Sequence, residues 1–379
     1  MPESVRFSTL NPHFVQLYLH IPFCHRICPY CSFYKHTPGN TDMRAFIRAI
    51  GEEAEFYAEK FPSQKINTLY LGGGTPSMLS RTLLGELHAK LSERFDLSEL
   101  KEFTFEANPA TFDLKKAQFF AELGISRISL GIQSFDNSVL KTLGREHSRE
   151  DAQQTVPILR EAGISEINID LMFSIPGQSL DSWRDTLESA IALQPDHISA
   201  YNLTYEEDTE FIKKYTTGEY VDDPDENAKF FHLAHQLLTE AGFDHYETSN
   251  YAKTGAKSTH NKSYWQGDEY LGLGPSAVST IHDTRWKNVP DTATYIRQIS
   301  SVGHAQTEIE NLTAEDFRIE RIALMLRTTE GLPVSVFTEP EIKRVHIIVS
   351  EGLAIITDGN FILTPKGSLL VDSIVEHIL

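Results

Sequence analysis

Short apolar runs alternate with amphipathic stretches over residues 1–252. The runs are Phe14–Ile21, Thr68–Leu71, Glu102–Phe105, Arg127–Ile132, Glu166–Phe173, His197–Leu203 and Asp244–Ser249. Several are rich in β-branched or aromatic residues, which suits strands. Between them, Asp42–Phe61, Leu83–Phe95, Lys115–Leu123, Ser148–Ala162, Ser182–Leu193 and Glu226–Ala241 carry helical patterns. Thr41 is a candidate cap for the first. Gly124, Gly163 and Gly242 follow three of the others as helix stops. Strand alternating with helix predicts a parallel sheet covered by helices. Six or seven such units point to a barrel or partial barrel. No G-x-G-x-x-G follows the first strand, which disfavours an open dinucleotide-binding sheet.

The pattern changes near residue 253. Lys253–Gly274 is rich in polar, glycine and aromatic residues, and the helical stretch Ala314–Leu326 opens a smaller terminal unit. There Glu341–Ser350 reads as a helix stopped at Gly352. Ala354–Ile356 and Phe361–Thr364 read as strands around the Asp358-Gly359 turn, and Lys366–Ile378 as a helix after Pro365. Helix, hairpin, helix is the outline of a winged-helix module. The expected division is therefore a barrel over 1–252, a connecting segment over 253–312 and a winged-helix-like unit over 313–379.

Composition narrows the class. The chain has 379 residues, 40% hydrophobic and 23% charged, with room for two cores. No apolar run is long enough for a transmembrane helix, and Met1–Leu10 lacks the pattern of a signal peptide. Cytoplasmic residence is the expectation. A net charge of −19 argues against nucleic acid as the main partner, because phosphate binding needs a basic surface.

All three cysteines, Cys24, Cys28 and Cys31, fall within eight residues, directly after the first strand. Three cannot pair off as disulfides, and such a cluster points to metal. Thiolates are the usual ligands of iron–sulfur clusters. On a four-iron cubane, three cysteines leave one iron open. Zinc is the competing metal, with His20, His25 or His36 as a fourth ligand. Further polar or glycine-rich groups stand at the ends of the following strands, where parallel sheets collect their chemistry. They are Gly72-Gly73-Gly74-Thr75, Glu106, Gln133 and Asp170, with Arg145 a little beyond the fourth strand. Gly permits close backbone approach to a ligand, and a guanidinium can pair with a carboxylate bidentately.

Cys-x₃-Cys-x₂-Cys after a first strand resembles the radical S-adenosylmethionine (SAM) superfamily. That resemblance implies a [4Fe–4S] cluster whose open iron chelates SAM, and reductive cleavage of SAM to a 5′-deoxyadenosyl radical. It also implies a partial (β/α)₆ barrel, here followed by the smaller winged-helix-like unit. Over nearly the whole chain, through Tyr18–Cys24, Gly72–Ser77, Glu106, Ser129–Phe135, Arg145 and Asn168–Gly177, the sequence is similar to the HemN/HemW family. This family comprises oxygen-independent coproporphyrinogen III oxidases and related haem chaperones. By that resemblance Tyr18, Tyr30, Gly73, Gly74, Thr75, Glu106, Gln133, Arg145 and Asp170 contact SAM.

Two departures favour the chaperone branch. Phe33 stands where the oxidases carry a fourth cysteine, and only 23 residues precede Cys24, where the oxidases have a longer arm. His260-Asn261-Lys262-Ser263-Tyr264-Trp265 matches a motif of that branch. It makes His260, Tyr264 and Trp265 haem candidates, with a packing role for His260 as the alternative. The resemblance thus implies haem as cargo, haem-acceptor proteins, an electron donor such as flavodoxin or ferredoxin, a homodimer, and a position peripheral to membrane during delivery. The alternative function is coproporphyrinogen oxidation, with two propionates decarboxylated to vinyl groups. A zinc-stabilised winged-helix regulator is the third class.

Overall fold

The computed structural model describes residues 14–62 and 65–379. Met1–Leu10, where no leader is expected, lies outside the described residues. The first half alternates as its pattern predicts: β1 (Phe14–Ile21), α1 (Met43–Lys60), β2 (Lys65–Gly73), α2 (Arg81–Arg94), β3 (Glu102–Ala107), α3 (Leu114–Glu122), β4 (Arg127–Gln133), α4 (Asn137–Thr142), α5 (Arg149–Glu161), β5 (Glu166–Phe173), α6 (Leu180–Ala192) and β6 (His197–Asn202). These six strands pair in chain order, all parallel. After α7 (Glu210–Thr216) and α8 (Pro224–Glu240) the seventh apolar run departs from expectation. It supplies only β7 (Asp244–Glu247) and the turn of a hairpin whose second strand, β8 (Asn250–Ala252), lies antiparallel to β6. The cap of α1 also differs. Asp42, not Thr41, accepts the Arg44 and Ala45 N–H groups at 3.0 Å.

Residues 253–312 are more than a connector. They form α9 (Thr259–Gln266), β9 (Tyr270–Leu273), β10 (Val278–Ile281), β11 (Thr284–Asn288), α10 (Thr292–Val302) and β12 (Gln306–Asn311). β9 pairs parallel with β1, so the whole sheet has twelve strands in the order β12-β11-β10-β9-β1-β2-β3-β4-β5-β6-β8-β7. Its edges are β12 and β7. It is therefore a partial barrel, not a closed one.

Side-chain alternation explains what this sheet encloses. Ile128, Leu130 and Ile132 of β4, and Ile167, Ile169 and Leu171 of β5, are fully buried in the core beneath the helices. Each such burial contributes roughly 1.5–3 kcal/mol. The intervening residues, Arg127 and Ser129, then Asn168 and Asp170, line the inner cavity. Parallel strands covered on both faces ordinarily read as continuous apolar runs. Here the inner face carries polar and charged groups into the lumen.

A second core gathers the C-terminal residues around Ile322, Phe361 and Ile374. It contains α11 (Ala314–Met325), β13 (Leu332–Pro333), α12 (Glu339–Ser350), β14 (Ala354–Thr357), β15 (Asn360–Leu363), α13 (Pro365–Ser368) and α14 (Val371–Ile378). The expected last helix is thus two, broken at Leu369 and Leu370. The strand order is β13-β15-β14, which adds one strand to the predicted hairpin. The Thr248 N–H donates to the Arg327 carbonyl at 2.9 Å, and the Thr329 N–H to the Tyr246 carbonyl at 3.1 Å, tying this unit to the β7–β8 hairpin. No helix among the described residues is long and apolar enough to cross a membrane.

Candidate cluster and cofactor site

The cysteine loop leaves β1 and returns to it. The Cys24 N–H donates to the His36 carbonyl at 3.0 Å and the His36 N–H to the Pro22 carbonyl at 2.8 Å. Phe23 is buried beneath, edge-on to Phe46 with ring centroids 5.0 Å apart. The base is therefore rigid, and the three cysteines stand partly exposed around one cavity of about 520 Å³. Thr75 Oγ1 donates to Cys24 Sγ at 3.6 Å, and an Arg145 Nη to Cys28 Sγ at 3.7 Å. Burial pushes the Cys24 and Cys31 thiols up, so a bound metal must displace their protons.

The residues fit a cluster. No three His, Cys, Asp or Glu side chains among the described residues converge as ligands of a single ion do. A cubane has no need of that convergence, since it takes each thiolate at its own iron. Two histidines that zinc would recruit have both ring nitrogens bonded. His20 faces Tyr18 Oη at 3.0 Å and the Tyr34 carbonyl at 2.7 Å; His36 faces the Thr37 carbonyl at 2.7 Å and Thr292 Oγ1 at 2.8 Å.

The strand ends face the same cavity. Gly73 has φ +107°, and a Cβ there would lie 2.4 Å from the His20 ring. Gly74 passes so close to the cysteine loop that a Cβ would meet the Phe23 and Ile21 carbonyl oxygens at 2.7 and 2.8 Å. The Gly74 and Thr75 N–H groups donate to those same two carbonyls, of Ile21 and Phe23 respectively, each at 2.8 Å. The glycine run therefore locks the base of the cysteine loop to β2 as well as opening the backbone to a ligand. Glu106 accepts from the Gly73 N–H at 3.0 Å and from Tyr70 Oη at 2.8 Å. Burial raises its carboxyl to about 7. Asp170 accepts from Ser129 Oγ at 2.7 Å and Asn168 Nδ2 at 2.8 Å, and burial raises it too. Gln133 ends β4 at φ +69°, just past a bulge in the pairing with β5, and lines the cavity. Tyr30 lines the cavity wall beside Phe211, centroids 6.2 Å apart. Tyr18 lies in an adjoining cavity that shares Tyr70, Gly73 and Glu106 with the first.

Arg145 differs from expectation. One Nη donates to Asn108 Oδ1 at 2.7 Å and to the Gly131 carbonyl at 2.6 Å, while Nε is buried without a partner. The guanidinium is held by the strand ends, and a bidentate clasp on a carboxylate requires it to release Asn108.

The aromatic motif lies on α9. Glu102 of β3 accepts from Ser258 Oγ and from the Thr259 and His260 N–H groups, at 3.0, 2.6 and 3.2 Å, clamping the helix N-terminus against the inner face of the sheet. His260 is 1% exposed. Its Nδ1 lies 2.6 Å from Thr68 Oγ1 and its Nε2 3.1 Å from Tyr264 Oη. It offers no free nitrogen to an iron in this structure. Tyr264 and Trp265 are half-buried. Tyr70, Asn108 and Glu102 are parts of the site that sequence reasoning missed. Their signal was the period-two polar alternation along β2 and β3.

A parallel strand–helix sheet with three cysteines after its first strand and a glycine run after its second is the arrangement of a radical SAM protein. Residues 18–190 match the Radical SAM superfamily. The fold is that of the Escherichia coli coproporphyrinogen III oxidase HemN, described as a radical SAM enzyme, with a TM-score of 0.83 over 97% of this chain and 91% of that one, at 23% identity. The heme chaperone HemW of Mycobacterium tuberculosis is 34% identical over 370 residues, covering 96% of this chain and 94% of the relative. The heme chaperone HemW of Haemophilus influenzae is 31% identical, covering 96% and 98%. The chain belongs to this HemW family of radical SAM proteins.

Proposed function

We propose that the protein is a haem chaperone that binds haem and passes it to acceptor proteins, with its cluster and SAM as a resident unit. Phe33 carries the reading within the family. It lies 67% exposed at the mouth of the cluster cavity, where the oxidases have a fourth cysteine, and a phenyl ring cannot ligate iron. Cys24, Cys28 and Cys31 would hold the [4Fe–4S] cluster, which supplies an electron for cleaving SAM when both are bound.

The chain's own groups bind and orient. Gly73 and Gly74 let the backbone come close to SAM, Thr75 steadies the Cys24 thiolate, and Glu106 and Asp170 present buried carboxylates to ammonium or ribose hydroxyl groups. Gln133 and Tyr18 would complete the polar wall, Tyr30 would pack against the adenine, and Arg145 would offer its unpartnered Nε to the cofactor carboxylate. We place haem outside the chamber that the cofactor would fill, on the half-buried aromatic side chains of Tyr264 and Trp265. Cytoplasmic residence, a peripheral approach to membrane during delivery, a flavodoxin or ferredoxin as electron donor and a homodimer belong to the same reading through the family resemblance. Anaerobic incubation of the reconstituted protein with coproporphyrinogen III, SAM and a reductant tests it. Unchanged coproporphyrinogen is expected; protoporphyrinogen would establish the oxidase instead.

A further inference from the structure

The motif helix and the SAM chamber meet at one side chain. Tyr70 of β2 borders both cavities. Its hydroxyl donates to Glu106 at 2.8 Å, and its ring lies on His260 with centroids 4.9 Å apart and planes inclined by 30°. His260 is fixed in turn. Thr68 gives its hydroxyl hydrogen to Gln16 Oε1 at 2.7 Å, so its oxygen accepts from His260 Nδ1–H. Nε2 is then the unprotonated nitrogen and accepts from Tyr264 Oη. The network assigns this tautomer. Burial lowers the ring's pKa to about 3, which keeps it neutral. Thr68 and Tyr70 are two apart on β2, and Glu102 and Glu106 four apart on β3, so both pairs face the lumen. One end of this ladder clamps α9 and the other reaches the cofactor chamber.

We propose that Tyr70 and His260 are positioning residues of the SAM site: the motif histidine holds the Tyr70 ring, and the Tyr70 hydroxyl holds the Glu106 carboxylate toward the cofactor. A hydrogen bond donated to a carboxylate favours its ionised form, the form that attracts the SAM ammonium group. Glu106 needs that help. It is fully buried, near the Asp170 carboxylate of β5. Tyr18 of β1, Tyr201 of β6 and the neutral His20 also face this region. Four cations line the cavity: Arg127 is bonded to Glu166 and the Ala256 carbonyl, Arg145 to Asn108 and the Gly131 carbonyl, and Lys35 to the Cys31 carbonyl, while Arg26 belongs to the cysteine loop. Removing the Tyr70 hydroxyl leaves the Gly73 N–H as the remaining donor to Glu106 among the described residues and raises its pKa further. His260 then acts on the cofactor site through Tyr70, not on haem iron.

The test is equilibrium binding of SAM to the anaerobically reconstituted full chain from about pH 6 to pH 9, the window that brackets the Glu106 titration. Iron and sulfide content is matched between variants. Tyr70→Phe keeps the ring and loses only the hydroxyl. It is expected to weaken SAM binding roughly tenfold near neutrality, with the midpoint of the pH dependence moved upward and affinity recovering in alkali. SAM's own ammonium titrates identically in both proteins. His260→Asn retains a donor for Thr68 and removes the ring that supports Tyr70. It is expected to shift SAM binding the same way, with the ferric Soret band and spin state of wild type. Wild-type SAM affinity in either variant overturns the proposal. So does weaker binding with an unmoved midpoint, or a changed haem spectrum in His260→Asn. If His260→Asn does not fold, Tyr70→Phe decides. The proposal rests on the SAM reading alone, so a wild-type protein that takes no haem fails the proposed function and leaves this test standing.

Discussion

At the residue scale the site depends on what is absent as much as on what is present. Phe33 withholds a fourth thiolate, and Gly74 withholds a methyl group. A Cβ at Gly74 would lie within 2.8 Å of three backbone atoms of residues 21–23, and backbone cannot rotate away as a side-chain tip can. Gly74→Ala should therefore cost roughly 1–3 kcal/mol of stability. It should also lower the iron bound per chain after reconstitution, read by denaturant titration and metal analysis together. The cysteines, Gly73, Gly74, Glu106 and Asp170 were legible because their chemistry or their place at a strand end is unusual for structural residues. Tyr70 was not, because a tyrosine in an apolar run reads as core until its neighbours across the sheet are known. His260 was legible as a motif residue, and its role was not, since only the fold reveals that Thr68 and Tyr264 occupy both its nitrogens.

At the element scale, α9 and α1 tie the later part of the chain to the barrel. Glu102 accepts three hydrogen bonds from the first turn of α9 and its cap. Glu102→Ala should free that turn, at a cost of roughly 1.5–3 kcal/mol for bonds to a charged group. Faster amide hydrogen exchange confined to residues 258–266 is the readout. Glu53 on α1 is fully buried and accepts from the Gly274 N–H at 2.8 Å, Asn288 Nδ2 at 2.6 Å and Tyr295 Oη at 2.5 Å. Burial raises its carboxyl to about 7. A raised acid binds its proton more tightly in the folded state, so its contribution is complete below the unfolded value and is lost as pH rises through 7. Stability of the wild type should therefore fall from about pH 5 to pH 8 by up to roughly 3 kcal/mol from this group. Glu53→Gln should flatten that slope, whatever its absolute offset, in urea midpoints measured across the range. The parallel strands and long helices could be anticipated because their periodicities run over many residues. The short α4, α7 and β9–β12 could not, since four to seven residues carry too little pattern. The run Asp244–Ser249 covers β7 and its turn, and the three residues of β8 that follow are too few to carry a pattern of their own.

At the scale of the whole molecule, one sheet separates two environments. Its outer face packs apolar residues beneath the helices, and its inner face lines a chamber of about 520 Å³, with charged and polar groups among its walls, beside the cysteine loop. In the proposed reading SAM, with its charges and hydroxyl groups, occupies that chamber, and haem the aromatic side chains outside it. The division of labour between cluster chamber and cargo wall is what the account claims. The most direct measurement is anaerobic titration of the cluster-loaded, SAM-bound protein with haem, followed by mixing with an apo-haem protein and tracking the Soret band. The account predicts saturable haem binding and transfer of intact haem to the acceptor. Absence of saturable binding, or haem that never leaves, would contradict it.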